Sequence, residues 1–218
     1  MYVRIVRWAF ARFYREFAWT YDTVAAAVSG GRWGVWGQAT LLHMRGRVLE
    51  LGCGTGNLQR ALAARPDLWT IGLDAAPQML AITRRKLAAT GEASNLARAV
   101  AQALPFSATS FDCIVATFPS EYIIDMATLT ELRRVLRPGG RVGVALAASF
   151  RSDGFYQRLI DLLYRATLQR SPHDPPLGSP VSLLGKHLAE LGFIVVERWE
   201  PVANNQVHLV IAHQANKE

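Results

Sequence analysis

A chain of 218 residues, half of them apolar, can bury one sizeable core and sits at the upper end of what a single domain carries. Lysine and arginine outnumber aspartate and glutamate by 24 to 17, which favours anionic partners; without a dense basic run, zinc-finger spacing or an aromatic RNA-binding signature, nucleic acid is not the expected one. Two cysteines, Cys53 and Cys113, make neither a disulfide framework nor a metal cage, so a reducing, cytoplasmic setting without a metal is expected.

In chain order, residues 2 to 28 carry Val3, Val6, Phe10, Phe13 and Phe17 at spacings of three or four and Val24 two turns further on, with Arg4, Arg7, Arg12 and Arg15 on the other faces. That pattern predicts an amphipathic helix rich in aromatics, with no apolar run long enough for a signal core or a membrane span. Gly30 and Gly31 break it, and a second short helix fits 34 to 44. Strand and helix then alternate: strands at 47 to 51, 69 to 73, 96 to 100, 111 to 117 and 141 to 147, helices at 56 to 64, 77 to 88 and 127 to 137, the last stopped by Arg137-Pro138-Gly139-Gly140. Such alternation predicts an α/β domain, a doubly wound, mostly parallel sheet covered by helices. A helix near 153 to 169, the breaker-rich stretch 171 to 180 and a helix at 181 to 191 follow. Two strands, FIVVERW and QVHLVIA, separated by Glu200 to Asn205, predict a closing antiparallel hairpin and about seven strands in all.

The stretch VLELGCGTGN, Val48 to Asn57, places Gly52, Gly54 and Gly56 between a strand and a helix, at the sheet edge where open α/β folds bind ligands. Asn57 stands where a dinucleotide fingerprint needs its third glycine, and no lysine-serine or lysine-threonine pair follows for a phosphate loop. Glu50, just before the glycines, would repel a pyrophosphate and suits an ammonium. A ligand with an amine and no phosphate fits these residues best.

VLELGCGTGN resembles the first motif of class I S-adenosylmethionine-dependent methyltransferases, and IGLDAAPQML at 71 to 80 resembles their second. ALPFSATSFDCIVATF and LRRVLRPGGRVGVAL extend the resemblance over roughly 46 to 147. It implies a Rossmann-like fold with an antiparallel last strand, S-adenosylmethionine as cofactor, and methyl transfer by in-line displacement. Its parts would be a helical extension at 1–45, a cofactor-binding core at 46–148, an acceptor-side insertion at 149–180, and a closing helix and hairpin at 181–218. Carried over by position, Glu50 and Gly52 meet the methionine moiety, with Cys53 in the same turn. Gly54 and Gly56 give the backbone close approach, and Asp74 holds the ribose hydroxyls. Ala75 and Met79 flank the adenine, Ala103 and Leu104 lie along its edge, and Thr117 stands beside the transferring methyl. Val100 departs from the family, many of whose members have an aspartate there for the adenine amino group; Gln102 or a main-chain carbonyl is the expected substitute.

Methyl transfer asks mainly for alignment and exclusion of water, and for a base only when the acceptor must lose a proton. Glu121, Tyr122 and His173 are the candidates for that role, while His43, His187, His208 and His213 read as structural. The segment TFPSEYIID lacks the Asn-Pro-Pro-Tyr-like signature of amine and amide methylators. Aromatics on the first helix and on the insertion (Phe150, Phe155, Tyr156 and Tyr164) predict an enclosed, apolar pocket for a small lipophilic acceptor. The style of the motifs resembles the quinone and phospholipid-headgroup branch, and the arginine-and-aromatic first helix suits peripheral contact with a membrane. The alternative at this stage is a cofactor-binding or membrane-associated interaction protein without turnover, motivated by Val100. A nicotinamide-dependent oxidoreductase is a weaker reading, opposed by Asn57. Nothing in the residues names an oligomeric state.

Overall fold

The computed structural model describes residues 21–92, 95–150 and 182–214. The aromatics Phe13, Tyr14, Phe17 and Trp19, and the insertion positions Phe155, Tyr156, Tyr164 and His173, lie outside the described residues. In chain order the elements are α1 (Tyr21–Ser29), α2 (Trp33–Gln38), a 3-10 turn (Leu41–His43), β1 (Gly46–Leu51), α3 (Asn57–Ala63), β2 (Leu68–Asp74), α4 (Pro77–Ala89) and β3 (Leu96–Arg98). There follow β4 (Phe111–Thr117), a 3-10 turn (Glu121–Ile124), α5 (Met126–Val135), β5 (Leu136–Phe150), α6 (Leu183–Glu190), β6 (Phe193–Val202) and β7 (Asn205–Gln214).

The strands form one sheet in the order β3-β2-β1-β4-β5-β7-β6. β1 to β5 are mutually parallel, and β7 enters antiparallel between β5 and β6. β1 lies at the centre, paired with β2 and β4, and the order reverses there: β2 and β3 extend to one side, β4 and β5 to the other. The crevice such a reversal opens at the carboxyl ends of the strands is where doubly wound sheets take ligands.

Central strands covered on both faces read as unbroken apolar runs rather than as alternations. β4 follows the rule, with Cys113, Ile114, Val115 and Ala116 all at or below 1% exposure. β1 breaks it at one place. Val48, Leu49 and Leu51 are buried as expected, but so is Glu50, at 1% exposure. One face of the sheet packs Leu49, Leu51, Ile114, Val142 and Val210 against Leu129, Leu132 and Val135 of α5 and Leu184 and Leu188 of α6. On the other, Val48, Cys113 and Val115 meet Leu58 and Leu62 of α3, and Ala145, Leu209 and Ile211 meet Trp36 of α2.

Local chemistry sets the helix starts. Pro77 sits in the first turn of α4, where its missing N–H costs nothing. The Asp125 carboxylate accepts from the Ala127 amide at 3.0 Å and caps α5; Ser182 accepts from Gly185 at 3.0 Å and caps α6.

Several boundaries differ from the sequence-based expectation. α5 stops at Val135, and Arg137 to Gly140 do not form a free helix stop: Leu136 already pairs with Phe111, and the four residues bulge before Arg141 resumes opposite Cys113. The closing turn is tighter than the expected 200 to 205. Val202 pairs with Asn205, leaving Ala203 and Asn204 as the turn, with Ala203 at φ 52. The helix expected at 34 to 44 is instead α2 at Trp33–Gln38 followed by a separate 3-10 turn at Leu41–His43, β5 runs past both ends of the expected 141 to 147, and the helix expected near 153 to 169 lies outside the described residues; the other described elements from β1 onward fall within a few residues of the reading above.

Leu132, fully buried between α5 and the sheet, tests this core. Leu132→Ala is expected to cost about 2–5 kcal/mol in urea unfolding, from lost burial plus the cavity left behind.

Candidate functional site

The crevice opens where β1 gives way to the glycine turn. Gly52, Gly54 and Gly56 all have positive φ, at 67, 53 and 80. At Gly52 a Cβ would fall 2.6 Å from the Tyr122 hydroxyl, and at Gly56 2.6 Å from Thr83 Cγ2, so these two are excluded sterically as well as conformationally from being anything larger. Gly54 differs: the nearest heavy atom to its Cβ position is 4.0 Å away, leaving its backbone open to whatever enters.

The turn is held from β2. Asp74 Oδ2 accepts from the Gly54 amide at 2.9 Å and Oδ1 from the Ala76 amide at 2.8 Å, so one carboxylate fastens the ends of both strands. Asp74 does not cap α4, whose N-cap residue is Ala76. Each of its oxygens keeps a second lone pair for another donor. Burial pushes the Asp74 carboxyl above its usual value, against the pull of the Ala76, Gly54 and Ala75 amides.

Glu50 lies in the crevice lining with Gly52, Cys53, Gly54 and Thr55. Its Oε2 is sealed from solvent and has no hydrogen-bond partner. Burial, with the Asp74 charge adding to it, raises the Glu50 carboxyl well above the ordinary carboxylate range. A buried acid without a partner is expensive, and the cost is relieved by a cation or a donor brought in from outside. Cys53, buried at 5% exposure, also lines the crevice, and its thiol is pushed far up by burial, with Glu50 and Asp74 adding to it, which disfavours the thiolate.

The other expected positions are distributed as follows. Thr117, at the end of β4, lines the crevice; Ala75 and Ala103 are exposed and are not among the residues that line it. Met79 and Leu104 are buried, at 1% and 5% exposure. The turn carrying Ala103 and Leu104 is pinned by α5: Leu104 donates its amide to Glu131 at 2.7 Å, while Arg134 donates to the Leu104 and Phe106 carbonyls at 3.0 and 2.7 Å. Val100 is half exposed, and Gln102 Nε2 donates to Asp125 Oδ2 at 3.2 Å. Tyr122 donates its hydroxyl to the Leu51 carbonyl at 3.2 Å, and Glu121 is exposed one residue before it.

Three residues of the crevice, all on α2, carried no readable signal in the sequence. Trp33, Gly34 and Gly37 of α2 form a wall of it; Gly37 packs so near β4 that its Cβ position lies 3.3 Å from Thr117 Cγ2. Small residues at 34 and 37, three apart, were the available hint of a close helix crossing. Phe118, immediately after β4, adopts φ 47, a conformation that costs a non-glycine residue about 1–2 kcal/mol. Its amide donates to the Ala145 carbonyl at 2.7 Å, and its ring meets Trp33 at 4.4 Å and Trp36 at 6.2 Å between centroids. Strain of this kind, held by surrounding contacts, concentrates at functional sites.

A second unread feature is Asp22 of α1. Its carboxylate accepts from Thr55 Oγ1 at 2.5 Å, Asn57 Nδ2 at 3.1 Å and Lys86 Nζ at 2.6 Å, and Lys86 also reaches Asn57 Oδ1 at 3.1 Å. Asn57, which breaks the dinucleotide fingerprint, thus ties the glycine turn to the N-terminal helices. Burial alone would raise the Asp22 carboxyl; hydrogen bonds from Lys86, Thr55 and Asn57 and the Lys86 charge outweigh it and hold the group below its usual value.

Residues 48–140 match the family described as methyltransferase domain. The fold is that of class I S-adenosylmethionine-dependent methyltransferases. A demethylmenaquinone methyltransferase from Thermus thermophilus is 44% identical over 100 residues, 45% of this chain and 46% of that protein. Its counterpart from Symbiobacterium thermophilum is 33% identical over 143 residues, 62% of this chain and 57% of that one. The match thus spans about half the length of these curated relatives. Among solved structures, a methyltransferase dependent on S-adenosylmethionine from Aquifex aeolicus superposes with a TM-score of 0.56 at 18% identity, over 84% of this chain and 92% of that one, a likeness of fold. The methyltransferase domain implies S-adenosylmethionine as cofactor, and the unpartnered Glu50 carboxyl beside the open Gly54 backbone fits a ligand that brings an ammonium group. Among the described residues no helix is long and apolar enough to cross a membrane, and no group of acidic, histidine or cysteine side chains could hold a metal ion.

Two outcomes follow from this geometry. Because the raised Glu50 carboxyl favours the folded state only while it keeps its proton, its contribution is complete below about pH 4.3 and is lost as the pH rises from there through the raised native value. Glu50→Gln should therefore melt higher than the wild type at pH 8 without ligand, and the difference should vanish toward pH 4. Asp22→Ala should speed amide hydrogen exchange in residues 21 to 38 while moving the global unfolding midpoint little; unchanged exchange would show that the network fastens nothing.

Proposed function

We propose that this chain transfers a methyl group from S-adenosylmethionine to a small lipophilic acceptor, and that the acceptor is a quinol ring. The observation that carries the first part is Glu50: a fully buried carboxyl with a free oxygen, next to a glycine turn whose middle residue is open, at the reversal point of the sheet. Glu50 would receive the amino-acid ammonium, Gly52 and Gly54 would lie against the methionine portion, and Asp74 would take the ribose hydroxyls on its remaining lone pairs. When bound, the cofactor supplies an activated sulfonium methyl. The chain has only to hold the acceptor in line and keep water out.

The acceptor reading rests on two supports. The Trp33–Phe118 pair makes an apolar, aromatic wall beside Thr117, suited to a flat ring. The Thermus and Symbiobacterium relatives are named for methylation of demethylmenaquinone. Transfer to a ring carbon must also remove a proton, and Glu121 and Tyr122, in the segment after β4, are the described residues proposed for that task, with His173 proposed from the insertion.

Calorimetric titration with S-adenosylhomocysteine tests the cofactor half. Binding by wild-type protein is expected to weaken at least tenfold, about 1.4 kcal/mol, in Asp74→Ala and in Glu50→Gln. Incubation with S-adenosylmethionine and a reduced demethylated naphthoquinone should then give the methylated product by mass spectrometry. Product from an aminolipid instead would move the acceptor class, and absence of product from every acceptor in a broad panel would remove the enzymatic reading.

A further inference from the structure

The crevice is lined from separate parts of the chain: by Trp33, Gly34 and Gly37 of α2, and by Thr55 and Asn57 at the glycine turn, among others. α2 is anchored to the strands that end beside Thr117. Trp36 packs on Ala145, Val207, Leu209 and Ile211, and Gly37 lies against Thr117 itself. Its tie to the glycine turn is indirect and runs through α1. Ser29, fully buried at the end of α1, accepts the Trp33 amide on its hydroxyl at 2.9 Å, and the Gly31 amide donates to the Ala26 carbonyl at 2.7 Å, so the end of α1 sets the start of α2.

At the other end of α1 stands Asp22, whose carboxylate takes Thr55 Oγ1, Asn57 Nδ2 and, from α4, Lys86 Nζ. Lys86 closes the ring by donating to Asn57 Oδ1. Asp22 is not among the crevice residues, yet two of its three partners are. The Asp22 and Lys86 side chains are 40% and 28% exposed, so their ion pair is worth little as raw stability; its leverage comes from its place, at the one point where α1 meets residues of the crevice through hydrogen bonds among the described side chains.

We propose that Asp22 is a positioning residue for the reaction: acting through Thr55 and Asn57, it fixes the glycine turn relative to Trp33 on α2 and so couples occupancy of the crevice to the order of α1 and α2. The inference rests on the reading of the crevice as the cofactor site. A ligand that steadies Thr55 and Asn57 then steadies α2, and by linkage the network strengthens the ligand by the same factor. The spacing between the turn and the aromatic wall is what in-line transfer needs held.

S-adenosylhomocysteine is titrated by calorimetry into the full chain as wild type, Asp22→Asn, Lys86→Gln and the double variant, and amide exchange of residues 33 to 38 is followed with and without it. Each single variant is expected to bind at least about fivefold more weakly. The double variant should bind no more weakly than Asp22→Asn, since both changes cut the same tie. Lys86→Arg, which keeps the charge and the donors, should bind like the wild type. The ligand should slow exchange at 33 to 38 strongly in the wild type and far less in Asp22→Asn; a merely structural role would lower the melting temperature and leave both ligand readouts unmoved. Lys86→Gln, at a partly exposed position, serves if Asp22→Asn does not fold. Equal affinities, losses that add in the double variant, or the same ligand-induced slowing in wild type and variant would overturn this inference and leave the cofactor reading standing, whereas absence of binding by the wild type would overturn both.

Discussion

The crevice depends on one carboxylate shared by two main-chain amides. Asp74 closes β2, yet its oxygens accept from Gly54 on one side and Ala76 on the other, so the turn after β1 and the entry to α4 are set by the same side chain. Without that bridge three positive-φ glycines at alternate positions would have little to hold them, since glycine gives up more backbone freedom on ordering than any other residue. The bridge in turn needs β1 and β2 in register, and Leu51 pairing with Leu73 supplies it. The backbone is thus arranged around the crevice by contacts that stand without any ligand.

Glu50 is the counterpart of that economy. The surroundings of β1 are apolar, and burying a carboxyl among them works against folding. Placing a second carboxyl, Asp74, close enough to raise it further makes the conflict worse. Such conflicts persist where a bound group resolves them, and clustered perturbed carboxyls in a crevice mark functional sites for that reason. The strained backbone at Phe118, which follows the crevice residue Thr117 and packs on Trp33, belongs to the same pattern: one local cost is electrostatic and the other conformational.

Most of the sheet was legible in the sequence because parallel strands buried on both faces leave continuous apolar runs, and glycine or proline punctuates them. VLEL, IGLD and FDCIVAT each announce themselves in this way. The glycine turn was equally plain, since spacing and context act together. What escaped depends on contacts between segments distant in sequence. Asp22 has no local signature; it matters because α1 folds back onto a turn more than thirty positions away. Likewise Trp33 and Gly37 become crevice residues only when α2 crosses the end of β4, and the hydrogen bond from Gln102 to Asp125 joins two segments that are separate in the sequence. The bulge at Arg137 to Gly140 was missed for a related reason: Pro and Gly report that a helix ends, but not that Leu136 is already paired with Phe111.

The strand order carries a consequence for assembly. β7 lies between β5 and β6, so Val144, Ala145 and Gly143 in the middle of the sheet have an open edge until residues 205 to 214 arrive. During synthesis the parallel half can form first, but it does so with an unpaired, apolar border along β5. Such a border is a template for pairing with another chain. The hairpin of β6 and β7, closed by a two-residue turn, is a local structure that can form before it docks, and docking it covers the border in one step. Nascent chains interrupted before residue 205 are therefore the ones most exposed to aggregation, and chaperone demand should peak while that border waits.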